Sequence, residues 1–119
     1  MANPNIVGVT TISGKTAVQA VTTAATSIVT NSASSNKVFK INSIIVANVD
    51  GTNAADITID LFRSSVAYPI ASTITVPADA TLIVVSKDNT IYLEEDDAIR
   101  CTASANGDLT VVCSYEEIS

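Results

Sequence analysis

Val38-Phe39-Lys40-Ile41-Asn42-Ser43-Ile44-Ile45-Val46-Ala47-Asn48-Val49 is the longest run of strand-forming residues in the chain. Under two-residue alternation Phe39, Ile41, Ile45, Ala47 and Val49 point one way, and Val38, Ile44 and Val46 point the other. A strand apolar on both sides needs neighbours on both edges or cover on both faces, so this stretch is expected at the centre of an all-β domain. The remaining composition agrees. Among 119 residues there are 14 Val, 14 Ile and 15 Thr, whose branched Cβ suits a pleated surface better than a helix. Aromatics reach only 4%, so the core is aliphatic. The fold expected is an antiparallel β-sandwich, with a jelly roll as the specific variant.

Working outward, Asp50-Gly51-Thr52-Asn53-Ala54-Ala55 is rich in turn formers, and in Asp56–Arg63 the residues Ile57, Ile59 and Leu61 alternate with Thr58, Asp60 and Phe62. The two runs read as a long hairpin with Phe62 exposed on its polar side. Pro69 delays the next strand, Ile70 to Val76, or confines it to a sheet edge. Thr81 to Ser86, with Leu82, Ile83, Val84 and Val85 continuous, reads as an interior strand, and Asn89 to Leu93 resumes an extended run.

The acid run Glu94-Glu95-Asp96-Asp97 is the densest charge in the chain. Calcium takes oxygen ligands of this kind, but adjacent residues on one short turn point apart, so a solvated turn is expected and no metal site. A last hairpin is read from Ile99 to Glu116 through a three-residue loop, Ala105-Asn106-Gly107, with Gly107 left-handed. That register sets Ala103 opposite Leu109, Cys101 opposite Val111 and Ile99 opposite Cys113. It leaves Cys101 and Cys113 as diagonal neighbours, two buried free thiols too far apart for a disulfide.

Residues 1–36 are the least regular part and form either an Ala/Thr/Ser-rich arm or the outer strands of the sandwich, with residues 37–119 as its core, one domain overall. Candidate strands are Ile6 to Ile12, Thr16 to Thr22 and Thr26 to Thr30. A helix over Thr16 to Ala25 is disfavoured by its Val and Thr residues.

All twelve acids follow residue 49. Residues 1–49 therefore carry +3 from Lys15, Lys37 and Lys40, and residues 50–119 carry −9, twelve acids against Arg63, Lys87 and Arg100. Such a balance argues against a nucleic-acid partner, and the lack of a long apolar run argues against a membrane. The N-terminus shows neither a basic n-region nor an apolar h-region, so the chain reads as made in a reducing cytoplasm. Histidine is absent, and the four glycines, Gly8, Gly14, Gly51 and Gly107, are isolated. No triad, general-base pair, phosphate loop or dinucleotide fingerprint is legible, so no enzyme activity, catalytic residue or cofactor is expected.

Several stretches resemble small virion proteins of tailed phages, especially cyanophages: Met1 to Val7, Lys37 to Asn48, Val76-Pro77-Ala78-Asp79-Ala80-Thr81-Leu82, and Ile91 to Arg100. Leu93 to Ile99 also resembles the Leu-x-x-Gly-Asp-x-Ile turn of jelly-roll proteins, with Asp96 where that pattern has Gly. The resemblance implies a capsid decoration, or cement, protein: β-rich, a homo-oligomer and often a trimer, binding the major capsid protein on the virion surface. The charge split supplies a physical route to this role, because an almost uncharged N-terminal third docks at low desolvation cost. Asn5, Ile6, Val7, Val9 and Ile12 are the candidate docking residues, with Phe62 and Tyr68 as exposed aromatics. Alternatives are a neck, tail or fibre component, or a host-glycan-binding sandwich, which the scarcity of aromatics disfavours.

Overall fold

A computed structural model describes residues 4–119. Nine strands are found among them: β1 (Ile12–Ala20), β2 (Thr26–Thr30), β3 (Val38–Asn48), β4 (Ala55–Arg63), β5 (Val66–Val76), β6 (Thr81–Val85), β7 (Ile91–Leu93), β8 (Ala98–Ala103) and β9 (Leu109–Ile118). A single 3-10 turn, Lys87–Asn89, separates β6 from β7.

The strands form two antiparallel sheets. One has the order β1-β9-β3-β6, with β7 also pairing β3, and the other has the order β2-β8-β4-β5. The chain crosses from one sheet to the other at β1–β2, β2–β3, β3–β4, β5–β6, β7–β8 and β8–β9. This is the double Greek key of a jelly roll, and the all-β sandwich read from composition is the fold observed.

Central placement of β3 holds, because β9 lies on one side of it and β6 and β7 share the other. Its two-faced apolarity has a different cause from the one expected. The pairing with β9 slips between Ile41 and Ser43, a β-bulge that changes which alternate residues face the core. Phe39 and Ile41 are buried before the bulge, and Ile44, Val46 and Asn48 after it. One face is buried throughout, and Ile45 and Ala47 are left on the other.

Two hairpins expected from turn residues are inter-sheet crossovers. The strand β3 belongs to one sheet and β4 to the other, so residues 49–54 arch across the sandwich. Likewise β8 pairs with β2 and β4 while β9 pairs with β1 and β3, so Ala103, Cys101 and Ile99 do not pair with Leu109, Val111 and Cys113. Turn residues bend a chain equally well into a hairpin or an arch, and packing decides which. Gly107 does adopt a left-handed φ of 85°. The strand β6 is an edge, not an interior strand, and Ile83 on it is 65% exposed. Pro69 lies inside β5 at the other sheet's edge, where a missing N–H is tolerated. Strand from Thr16 holds to Ala20, whereas residues 5–8 form a turn closed by Gly8 N–H donating to the Asn5 carbonyl at 3.0 Å.

Between the sheets lies an aliphatic core including Ile41, Ile44, Val46, Ile57, Ile59, Leu93, Ile99, Leu109 and Val111. Phe39 stacks on half-buried Tyr115, ring centroids 5.4 Å apart. Cys101 and Cys113 are both free and buried in this layer. Burial pushes both thiols up, that of Cys113 to about 12.

Two buried asparagines tie the crossovers at opposite ends. Asn31 Nδ2 donates to the carbonyls of Lys37 (2.8 Å) and Leu93 (3.0 Å). Asn48 Nδ2 donates to those of Asn53 and Val76, both at 3.0 Å. Each ties a loop carbonyl to the carbonyl at a strand end, Lys37 with Leu93 and Asn53 with Val76, giving both a partner.

Candidate functional site: two unlike outer faces

Three regions concentrate chemistry or exposed apolar surface: the acidic corner, the N-terminal segment, and the outward faces of the two sheets.

At the corner, Arg63, Ser64 and Glu94–Asp97 line an open groove of about 390 Å³. Asp97 is not solvated as its turn context implies: it is 2% exposed, and Arg63 grips it through Nε–Oδ1 at 2.8 Å and Nη2–Oδ2 at 2.6 Å. Glu94 N–H donates to the same carboxylate at 2.8 Å, and the Glu94 side chain lies 2.8 Å from Arg63. The Asp97 carboxylate beside it raises the Arg63 pKa further above its ordinary value. The backbone is tied as firmly, since Asn31 N–H donates to the Asp97 carbonyl (2.9 Å) and Asp96 N–H to that of Asn31 (2.8 Å). Asp96 holds φ +71° in the position where the resembling turn has Gly. The corner's charge therefore serves a structural knot. Among the described residues no group of three or more His, Cys, Asp or Glu side chains is placed to hold a metal ion.

The residues expected to dock do not converge on one patch. Val7 is 92% exposed, Ile6 and Ile12 are exposed, and Val9 is half-buried, next to the hydrogen bonds from Thr10 N–H and Thr11 N–H to the Ser119 carbonyl. Asn5 shapes the turn, its Oδ1 accepting from Val7 N–H at 3.0 Å. Phe62 is not a free aromatic, because the Arg100 guanidinium lies 4.0 Å above its ring. Tyr68 is 54% exposed and sits opposite Leu61, while Phe62 sits opposite Ala67, so the two rings lie on opposite faces of the β4–β5 ribbon.

Sequence reasoning missed the contrast between the outer faces. On the β1-β9-β3-β6 sheet, cross-strand register joins Val18 to Val112, Val112 to Ile45, and Ile45 to Ile83. Directly opposed residues share a face, so these four form one apolar row crossing β1, β9, β3 and β6, with Val18 72% exposed and Ile83 65% exposed. The adjacent rows are Ala20-Thr110-Ala47-Thr81 and Thr16-Ser114-Ser43, all uncharged. On the other sheet the corresponding row is Ser27-Arg100-Asp60-Pro69. There Arg100 grips Asp60 through Nε–Oδ1 at 3.0 Å and Nη2–Oδ2 at 3.3 Å and also covers Phe62. The signal for the bare row lay in Ile45 and Ile83, hidden by reading β3 without its bulge and β6 as interior.

Among the described residues no helix is long and apolar enough to cross a membrane. The class defined at this point is a jelly-roll sandwich with one charge-paired outer face and one bare apolar face. No family model matches the chain, and no curated protein matches it in sequence. In structure it is similar to a Bacillus protein described under the words "Bacillus endospore appendages form a novel family of disulfide-linked pili". That likeness has a TM-score of 0.54 at 13% identity, covering 98% of this chain and 95% of that one, and it establishes the sandwich alone.

Proposed function

We propose that this chain is a non-catalytic structural subunit, and in first place a phage virion protein that decorates the outer face of a capsid shell and braces it. The observation that carries this reading is where its charges and apolar side chains lie. Asp60, Asp97, Arg63 and Arg100 are held in structural pairs, while Val18, Ile83 and the Ile6–Val7 turn are bare. A surface built this way binds other protein surfaces by shape and apolar contact. The resemblance of Lys37–Asn48 and Ile91–Arg100 to small virion proteins directs it to a particle, where it acts as a homo-oligomer on the major capsid protein. Cryo-electron microscopy of intact particles tests this. Density for the chain on the shell, at three-fold or quasi-three-fold positions if it is a trimer, is expected; density confined to neck or tail removes the decoration role. Deleting residues 1–11, which stops short of β1, is expected to abolish shell attachment; coating that survives the deletion shows that the N-terminal segment does not dock.

A second reading, a filament subunit, is favoured by the likeness to the pilus protein. Disulfide linkage is not available to it here, since both cysteines are buried between the sheets. Filaments of this chain would form equally well in reductant, and a requirement for oxidation would exclude this reading.

A further inference from the structure

We infer that the bare face of the β1-β9-β3-β6 sheet is a two-fold interface that binds a second copy of this chain, with the axis running along the row Val18-Val112-Ile45-Ile83. The inference goes beyond the proposed function and does not rest on it.

Three observations select another copy as the occupant. The first is where charge is absent. A chain of net charge −6 repels its own kind, and the least repulsive place for self-contact is a face without charges. The apolar row and the two rows flanking it supply that across β1, β9 and β3, and two of the three rows extend it to β6.

The second is charge complementarity between the two margins of this face. Beyond the Thr16 row stands Lys40, opposite Glu116 and Tyr92 in register and engaged in no ion pair within 4.0 Å among the described residues. Beyond the Ala20 row stand Asp50, Asp79 and Asp108, none of them ion-paired among the described residues. Burial and the neighbouring Asp50 push the Asp108 carboxyl up, as expected of carboxylates crowded without a cation. Rotation by 180° about the row reverses the strands and lays each β3 over the other. Ile45 lies five residues from Lys40 and five from Asp50, so the rotation brings each unpaired lysine over the other copy's carboxylates.

The third is size. Four strands about 4.8 Å apart, with three to five rows about 6.8 Å apart, cover about 400 to 650 Å² per copy. Both copies together bury about 800 to 1,300 Å², a reversible contact at the lower end of specific interfaces. Stacked sheets pack about 10 Å apart with strands nearly aligned, which this geometry allows.

Sedimentation equilibrium of the full chain tests the inference over a concentration series from about 1 µM to about 1 mM, the range in which an interface of this size associates. A monomer–dimer equilibrium is expected. Val18→Glu combined with Ile83→Glu should raise the dissociation constant at least tenfold; both sites are exposed on edge strands, and an unchanged thermal melt confirms that the variant is folded. Lys40→Glu and Asp108→Lys should each weaken self-association, and mixing the two variants should restore it, because only the mixed dimer pairs opposite charges at both margins. A chain monomeric throughout overturns the inference. So does a dimer or trimer indifferent to Val18→Glu/Ile83→Glu, or a mixture no tighter than its parts. If the double glutamate variant stays monomeric like the parent but loses attachment to shells or filaments, the face belongs to a different partner and the inference fails.

Discussion

The two outward faces of this sandwich occupy equivalent places in the jelly roll and are built in opposite ways. Across β2, β8, β4 and β5 runs Ser27-Arg100-Asp60-Pro69, where a two-pronged ion pair sits beside a ring covered by the same guanidinium. Across β1, β9, β3 and β6 runs Val18-Val112-Ile45-Ile83, half-buried in the middle and largely in water at Val18 and Ile83. The first face is complete within one chain. The second leaves apolar area in water, a cost that other molecules relieve. In the dimer inferred above, stability and association belong to different sheets, and substitutions in the two rows should separate them.

The largest expected effect is at Asp60. Its side chain is 6% exposed against 22% for Arg100, so Asp60→Ala leaves a largely buried guanidinium without its partner. Such a loss costs about 3 kcal/mol or more, and urea unfolding should show it as a lower midpoint with an unchanged slope. Replacing both partners, Asp60→Leu with Arg100→Met, should recover most of it, since two apolar groups leave no orphaned charge. A single substitution that costs under about 0.5 kcal/mol, the range of ordinary surface changes, would mean that this face is no more finished than the other.

Asp97→Ala comes next, at about 2 kcal/mol. It unpairs the Glu94 N–H and takes the two-pronged partner from Arg63, but Arg63 keeps the Glu94 carboxylate at 2.8 Å and is 40% exposed, so water can replace part of what is lost. On the bare face, Val18→Thr and Ile83→Thr should change unfolding free energy by no more than about 0.5 kcal/mol each, because both side chains are already largely in water. Unfolding at high protein concentration sharpens the contrast. Any stabilisation that grows with concentration in the parent should shrink in the Thr variants, since only the associated state couples to stability by mass action.

Much of the fold was legible because it rests on composition and period. The β-branched residues, the central place of Val38–Asn48 and the edge role of Pro69 follow from side-chain stiffness and a missing N–H, which are local properties. The arches at 49–54 and 104–108 were not legible. A hairpin and a crossover use the same turn residues, and their difference lies in which sheet the next strand joins. The bare row was hidden by the same kind of non-local choice. The bulge at Asn42 exchanges inward and outward residues halfway along β3, so strict alternation put Ile45 on the same side as Phe39. Of the expected docking residues, Ile6, Val7 and Ile12 are exposed, but Phe62 is covered by an arginine 38 positions away in sequence, a pairing no local pattern encodes.

The smallest expected effect lies at the acidic margin of the bare face, and its sign distinguishes crowded carboxylates from paired ones. Burial and the Asp50 charge raise the Asp108 carboxyl above its ordinary value, so its protonated form is favoured in the folded chain. A group raised on folding contributes stability that is present in full below its unfolded pKa, about 3.9, and lost as pH rises through the folded value. Asp50 behaves oppositely: the Thr52 and Asn53 N–H groups hold its carboxyl down, so its contribution is lost as pH falls through its folded value. Asp108→Asn should therefore be indistinguishable from the parent in thermal midpoint near pH 3 and more stable by a small margin at pH 7, the gap opening as Asp108 ionises. Glu117 supplies the comparison, because hydrogen bonds from Lys37 and Lys15 hold it below the usual carboxylate range. Glu117→Gln should show the opposite order, falling below the parent at pH 7 and converging on it only as pH falls through the lowered folded value of Glu117. If both variants moved the same way with pH, the Asp108 margin would not be charge-crowded, and one reason for a lysine from a second copy to seek it would be gone.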